Sequence, residues 1–170
     1  MLSFPAAYGM RWLAGSVVAL AKDCADAVGA EDIADVGPVF LPVGPALRLH
    51  RNPEERPTGA ERAARLAVCC FGLSLSAPDE RRILFDRLCR LSGHALLLDF
   101  KSPERNLEWP AFLVFSPLRR AVSRGHPERD GGMEGVLYHE TSRFTILSRH
   151  TLMGGALCAV LLRNRSEEPV

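Results

Sequence analysis

Asp99 stands near the end of an apolar run, His94 to Phe100 (HALLLDF), and Lys101 follows it directly. A carboxylate and an amine at the end of a strand can move a proton or hold a hydroxyl or amine of a small substrate. The alternative is a salt-bridged or helix-capping acid. A polar group continues beyond them at Glu104, Arg105, Asn106, Glu108 and Trp109. It reads either as the rim of a substrate site or as a solvated loop in which Trp109 anchors a helix. Phe71, Gly72 and Leu73 end an earlier apolar run, Leu66 to Leu73 (LAVCCFGL). Open α/β sheets bind ligands outside the carboxyl ends of their strands, and Gly72 there either admits a ligand or lets a helix pack closely. His139 and His150 are candidate bases. The five cysteines include no C-x-x-C and are odd in number, which points to thiols in a reducing compartment rather than a disulfide framework. No histidine or cysteine spacing suits zinc or iron, so no metal is expected. Gly-x-Ser-x-Gly, P-loop and paired-carboxylate motifs are absent.

The elements that hold these residues are most legible after residue 60. Leu66 to Leu73 is continuously apolar, as a strand covered on both faces is. Ser76-Ala77-Pro78-Asp79-Glu80 predicts a helix start, with Ser76 as N-cap, proline in the first turn and acids facing the dipole. Ile83, Leu84, Leu88 and Leu91 make its apolar stripe, and Gly93 ends it. With His94 to Phe100 this forms a strand–helix–strand unit, hence a parallel pair. Leu107 to Val122 reads as a helix interrupted by Pro110, and Met133 to His139 as a short one. Phe144 to Leu147 and Ala156 to Leu162 read as strands joined through Met153-Gly154-Gly155, a connection too short for a crossover, so this pair is antiparallel.

The first third is less regular. Met10, Leu13, Val17, Leu20, Cys24 and Val28 recur at helical spacing, and Gly29 ends that helix. Trp12 to Ala21 ends in a sequence faintly like a signal-peptide cleavage site, but only Arg11 precedes it, and the run is too short to span a bilayer. Residues 30–60 carry prolines and glycines that break helices and strands alike. Val36 to Val43 is expected to hold a short strand and Leu47 to Leu49 a second fragment.

The order and wording of the later elements resemble the class I S-adenosylmethionine-dependent methyltransferases over residues 64 to 164. In that family the fourth strand leads through a helix to the fifth, and a further helix leads to an antiparallel sixth and seventh pair. LAVCCFGLSLSAPDERRILFDRLCRLSGHALLLDFKSPERNLEWP looks like its strand, helix and acid-ended strand; FTILSRHTLMGGALCAVLLRN looks like its terminal hairpin. The resemblance implies an α/β, Rossmann-like sheet, abbreviated in its N-terminal half, with a C-terminal antiparallel hairpin. The whole chain is then one methyltransferase-like domain: an N-terminal helix over 1–29, an irregular segment over 30–60 and an α/β part over 61–164.

It also implies S-adenosylmethionine as cofactor. Ile33-Ala34-Asp35-Val36-Gly37-Pro38 has the Asp-x-Gly start of the family's glycine-rich loop. Asp35 and Gly37, with Phe71, Gly72 and Leu73, are the implied cofactor-binding residues, and Asp99, Lys101 and Trp109 the substrate-binding ones. The sequence departs from the family at Pro38, which removes a backbone donor and fixes φ, and in the short interval from Gly37 to Leu66. The Pro-Pro-Tyr signature of amide or adenine N-methylation is absent. Methyl transfer asks the protein mainly to align its reactants, so no catalytic residue is singled out.

Two functions follow. One is methyl transfer from S-adenosylmethionine to a small molecule; the other is a non-catalytic remnant of the fold, acting as a binding or assembly module in a homo-oligomer or with a protein partner. Composition suits either: 47% hydrophobic and 24% charged residues exclude a mainly disordered chain. A net charge of +1, from 21 basic against 20 acidic residues, argues against nucleic acid bound by charge. No membrane partner is expected, and the location expected is cytoplasmic.

Overall fold

A computed structural model describes residues 4–36, 49–51, 65–101, 106–111, 113–114, 132–140 and 142–165 of the chain. They form a six-stranded sheet. Its strands are β1 (Asp32–Asp35), β2 (Leu49–Arg51), β3 (Arg65–Cys70), β4 (His94–Phe100), β5 (Phe144–Leu152) and β6 (Leu157–Asn164), in the spatial order β2-β1-β3-β4-β6-β5. The first four are parallel. β6 then inserts antiparallel between β4 and β5, pairing Phe100 with Leu157 and His94 with Arg163. The fold is an α/β, Rossmann-like sheet, ending in the expected antiparallel hairpin.

Helices cover both faces, which is why the inner strands carry unbroken apolar runs, Leu66–Cys70, Ala95–Leu98 and Leu157–Leu162. α1 (Phe4–Ala27) lies on one face, where Val17, Ala21, Cys24 and Ala25 pack with Leu66, Val68, Leu96, Leu98 and Leu161. On the other, Leu84, Phe85 and Leu88 of α3 (Pro78–Leu91) and Met133, Val136 and Leu137 of α4 (Gly132–His139) pack with Ala67, Cys69, Leu97 and Val160. Alternate residues of each strand thus serve opposite helices. Burying a leucine such as Leu88 or Leu96 in this way contributes roughly 2 kcal/mol. Arg143 bridges Asp86 of α3 at 2.6 Å and Glu140 at 3.6 Å, tying α3 to the turn before β5.

Several elements differ in detail from the sequence expectation. The strand expected over Val36 to Val43 lies earlier, at Asp32–Asp35, because Ile33 and Ala34 are the residues buried between the helix layers; 37–43 fall outside the described residues. The second fragment is β2, at Leu49–Arg51. β3 stops at Cys70, since Phe71 turns to φ 57° and starts a one-turn helix, α2 (Gly72–Leu75). Ser76 closes α2 and is not the N-cap of α3. Ala77 holds that place, its amide donating to the Glu80 carboxylate at 2.8 Å, with Pro78 as the first helical residue. Ile83 faces outward at 67% exposure, while Phe85 and the charged Arg81 are buried. β5 extends to Leu152, beyond the apolar FTIL, with a bulge between Ile146 and Ser148. Of the helix expected over 107–122, the described part is a 3₁₀ turn at Asn106–Glu108, with helical residues at 109–111 and 113–114.

Gly29 ends α1 as expected. It sits at φ +66°; its amide donates to the Asp26 carbonyl at 3.3 Å, and the Ala30 amide reaches back to the Ala25 carbonyl at 2.8 Å, the double bond of a Schellman cap. Gly15, on the exposed side of the same helix, has nothing within 4 Å of where a Cβ would stand. Alanine is therefore expected to have opposite signs at the two positions. Gly29→Ala should destabilise the protein by about 1 kcal/mol through left-handed strain, and Gly15→Ala should stabilise it by roughly 0.5–1 kcal/mol. Urea denaturation of the two variants checks both.

Candidate functional site

The carboxyl ends of the parallel strands form a staircase. β1 ends at Asp35, opposite Val68; β3 runs two residues further to Cys70, opposite Leu98; β4 runs two further to Phe100. Each step is bonded to the next strand: the Val36 amide donates to the Val68 carbonyl at 2.9 Å, and the Phe71 amide to the Leu98 carbonyl at 2.7 Å. Asp35 occupies the lowest step, 2% exposed. Gly37, its expected companion, lies outside the described residues.

At the end of β3 the chain turns sharply. Phe71 takes the left-handed conformation, which costs a non-glycine residue about 1–2 kcal/mol. Its surroundings leave little alternative. Its carbonyl accepts the Leu75 amide at 3.0 Å, and its ring packs on Phe100 with centroids 5.0 Å apart. The residues after it are held by Asp99. One carboxylate oxygen accepts the amides of Leu73 and Ser74, each at 2.9 Å; the other accepts the Ser74 hydroxyl and the Phe100 amide. An ionised carboxylate has about four acceptor positions, so these four donors fill it.

The candidates of this region therefore separate. Asp99, expected at the substrate rim, is 2% exposed and caps the amides of α2, the helix-capping alternative. Gly72 faces inward: a Cβ there would lie 2.3 Å from Cys69 Sγ and 2.7 Å from Leu84 Cδ2, so its bare Cα admits α3 and not a ligand. The Leu73 side chain is in the α3 core, and its carbonyl accepts Arg81 Nε at 3.0 Å. Burial, with the Asp35 and Asp99 carboxylates adding to it, pushes the Cys69 and Cys70 thiols well up, which keeps them protonated and unreactive. All five cysteines are free thiols.

Lys101 and Trp109 do lie beyond the end of β4. Lys101 pairs with Glu108 at 3.3 Å, both mostly buried, and Trp109 is 48% exposed. The turn between β5 and β6 clamps this segment from the side. Gly155, at φ +100°, packs its bare Cα against the Glu108 side chain, and a Cβ there would stand 2.5–2.9 Å from it. Sequence reasoning missed this contact; the Gly154-Gly155 pair was its only signal, and it was absorbed as turn chemistry. The two histidines part company. His150, on β5, accepts or donates a hydrogen bond with Ser148 Oγ at 3.0 Å toward the carboxyl edge, whereas His139 ends α4 just before β5 begins, at the opposite edge. Among the described residues no group of three or more His, Cys, Asp or Glu is placed to hold a metal ion. No described helix is long and apolar enough to cross a membrane.

No family model matches the sequence, and no curated protein matches it. Among solved structures the chain is similar to magnesium protoporphyrin IX methyltransferase (ChlM) from Synechocystis PCC 6803 with bound SAH. The TM-score is 0.52 at 12% identity, covering 96% of this chain and 89% of that one. The PH0226 protein from Pyrococcus horikoshii OT3 matches at a TM-score of 0.43 and 10% identity, over 71% of this chain and 60% of that one. The first likeness is one of fold, and it extends over almost the full chain.

Two outcomes test the wall of this edge. Gly72→Ala should lose about 2 kcal/mol of stability in urea denaturation, since Cys69 and Leu84 must both move. Burial raises the Asp99 carboxyl above its usual value, an effect its hydrogen bonds oppose but do not cancel. The folded protein then holds the Asp99 proton to higher pH than the unfolded chain. Its contribution to stability is largest below about pH 4 and falls as pH rises through the raised value. Urea midpoints of the natural protein against Asp99→Asn, measured from pH 3.5 to 7, should show the natural protein losing ground as pH rises. The opposite slope would mean that the four hydrogen bonds outweigh burial.

Proposed function

We propose that the protein is a single-domain, methyltransferase-like protein that binds S-adenosylmethionine at the carboxyl edge of β1 and β3 and presents its methyl group to a small molecule. The observation that carries this reading is the strand order β2-β1-β3-β4-β6-β5 with a buried acid, Asp35, closing β1 at the lowest step of the edge. A carboxylate buried at the carboxyl end of β1 stands where open α/β sheets hold their ligands, within the region that the polar groups of the cofactor would reach. When bound, the cofactor supplies the methyl group on a sulfonium and its own leaving group. Asp35 and Gly37 would hold it from the β1 side and the Phe71 ring edge from the β3 side. Asp99 positions Phe71 through α2, and Lys101 and Trp109 flank the acceptor.

The occupied amides of α2 favour a second reading. They leave the end of β3 without a donor for a ligand, as a non-catalytic module working with a homo-oligomeric or protein partner requires.

Calorimetric titration with S-adenosylhomocysteine, beside a thermal melt, separates the two. Saturable micromolar binding, with roughly 2.7 kcal/mol of stabilisation at 100 times the dissociation constant, is expected. Asp35→Asn should weaken it at least tenfold with the fold intact by the same melt. No heat and no melting shift up to millimolar ligand would overturn the stand-alone enzyme.

A further inference from the structure

The first place in the buried stripe of α3 belongs to a charge. Arg81, Leu84, Phe85 and Leu88 stand at helical spacing and are all buried, Arg81 to 4% exposure. A guanidinium keeps its proton in any protein, so burying one is costly unless acceptors answer it. One such acceptor lies in the wall of the carboxyl edge: Arg81 Nε donates to the Leu73 carbonyl at 3.0 Å.

That carbonyl needs the bond. α2 is a single turn, in which the Phe71 and Gly72 carbonyls accept the Leu75 and Ser76 amides. The next amide in that series, Ala77, is turned to the Glu80 carboxylate at 2.8 Å instead. The helix therefore stops with the carbonyl of the buried Leu73 unserved by its own turn, and a side chain has to take its place. Asp99 accepts the Leu73 amide from β4, and Arg81 donates to the Leu73 carbonyl from α3. Both main-chain groups of this one residue thus end on a buried charge, the anion on the amide side and the cation on the carbonyl side, which matches the dipole of the turn.

We propose that Arg81 is a positioning residue of the carboxyl edge. With Asp99 it fixes α2, and through α2 it keeps Phe71 in the left-handed conformation that sets its ring on Phe100 and closes the β3 side of the site. The effect on a ligand rests on the S-adenosylmethionine reading of that edge; the hold on α2 does not. Neither charge needs to touch the ligand. Phe71 gains about 1–2 kcal/mol by leaving the left-handed region, so the turn relaxes when one of its two holds is lost.

The test compares the natural protein with Arg81→Met and Arg81→Lys by urea denaturation, hydrogen exchange followed by NMR, and S-adenosylhomocysteine calorimetry. In Arg81→Met the Leu75 and Ser76 amides should exchange roughly tenfold faster than the loss of global stability accounts for, and S-adenosylhomocysteine should bind roughly tenfold more weakly. Lysine keeps a donor for the Leu73 carbonyl, so Arg81→Lys should recover most of both effects, which a residue needed only for its bulk would not allow. Exchange that merely follows global stability overturns the proposal. So does an unchanged S-adenosylhomocysteine affinity with α2 loosened, or a lysine variant no better than the methionine one. If the natural protein binds no S-adenosylhomocysteine, the methyltransferase reading fails, and exchange at Leu75 and Ser76 alone decides whether Arg81 holds α2. Should Arg81→Met not fold, Arg81→Gln, which keeps one neutral donor, goes through the same measurements, with a smaller shift of the same kind expected.

Discussion

One carboxylate organises the edge of this sheet where a ligand would approach. Asp99 draws two amides and a hydroxyl of α2, and the amide after itself, onto two oxygens inside a largely apolar core. A buried acid with fewer partners would be strongly destabilising, and the α2 amides without the acid would be buried donors lacking acceptors. Each requirement satisfies the other. The left-handed Phe71, its ring packing on Phe100 and the close approach of α3 over Gly72 all follow from α2 being held in that one place.

The same economy runs across the sheet. Because β3, β4 and β6 alternate between α1 and the α3–α4 layer, there is no solvent face on which polarity is free. The buried polar side chains among the described residues are accordingly few: Asp35, Asp99 and Asn164 on strands, the last donating its side-chain amide to the Cys89 carbonyl at 3.0 Å, and Ser74, Arg81 and Ser92 in or beside helices. The wall is built from main-chain geometry more than from side-chain chemistry.

That balance explains what could be read from the sequence. β4 was legible to the residue, bounded by Gly93 and Lys101, and so was the cap at Gly29, because glycine and charge punctuate both. The antiparallel hairpin followed from the shortness of its connection. β3 was drawn too long because a strand covered on both faces has no alternation, so Phe71, Gly72 and Leu73 looked like more of the same run. The role of Asp99 was hidden for a related reason: two of its four partners are backbone amides 25 and 26 positions away, and amides have no letter of their own. β1 escaped notice because Asp32 and Asp35 frame only two apolar residues, and β5 was cut short because its outer half carries Ser148, Arg149, His150 and Thr151. The three candidates around the end of β4 divided by burial, which spacing does not encode: Lys101 and Trp109 lie beyond the strand, and Asp99 is buried under α2.

The insertion of β6 between β4 and β5 bears on how the protein comes to be folded during synthesis. β4 is paired on one side by β3, its near neighbour in the chain, but its other edge, from His94 to Phe100, waits for Leu157 through Arg163. At ribosomal speeds that is a delay of several seconds, in which one of the most apolar strands of the protein presents open amides and carbonyls. β6 therefore covers the open edge of β4, and β5, longer but bulged and more polar, is left as the edge that faces outward. A cell making this protein would need to shield β4 from its neighbours until β6 arrives, and a nascent chain halted before Leu157 would be the sticky species.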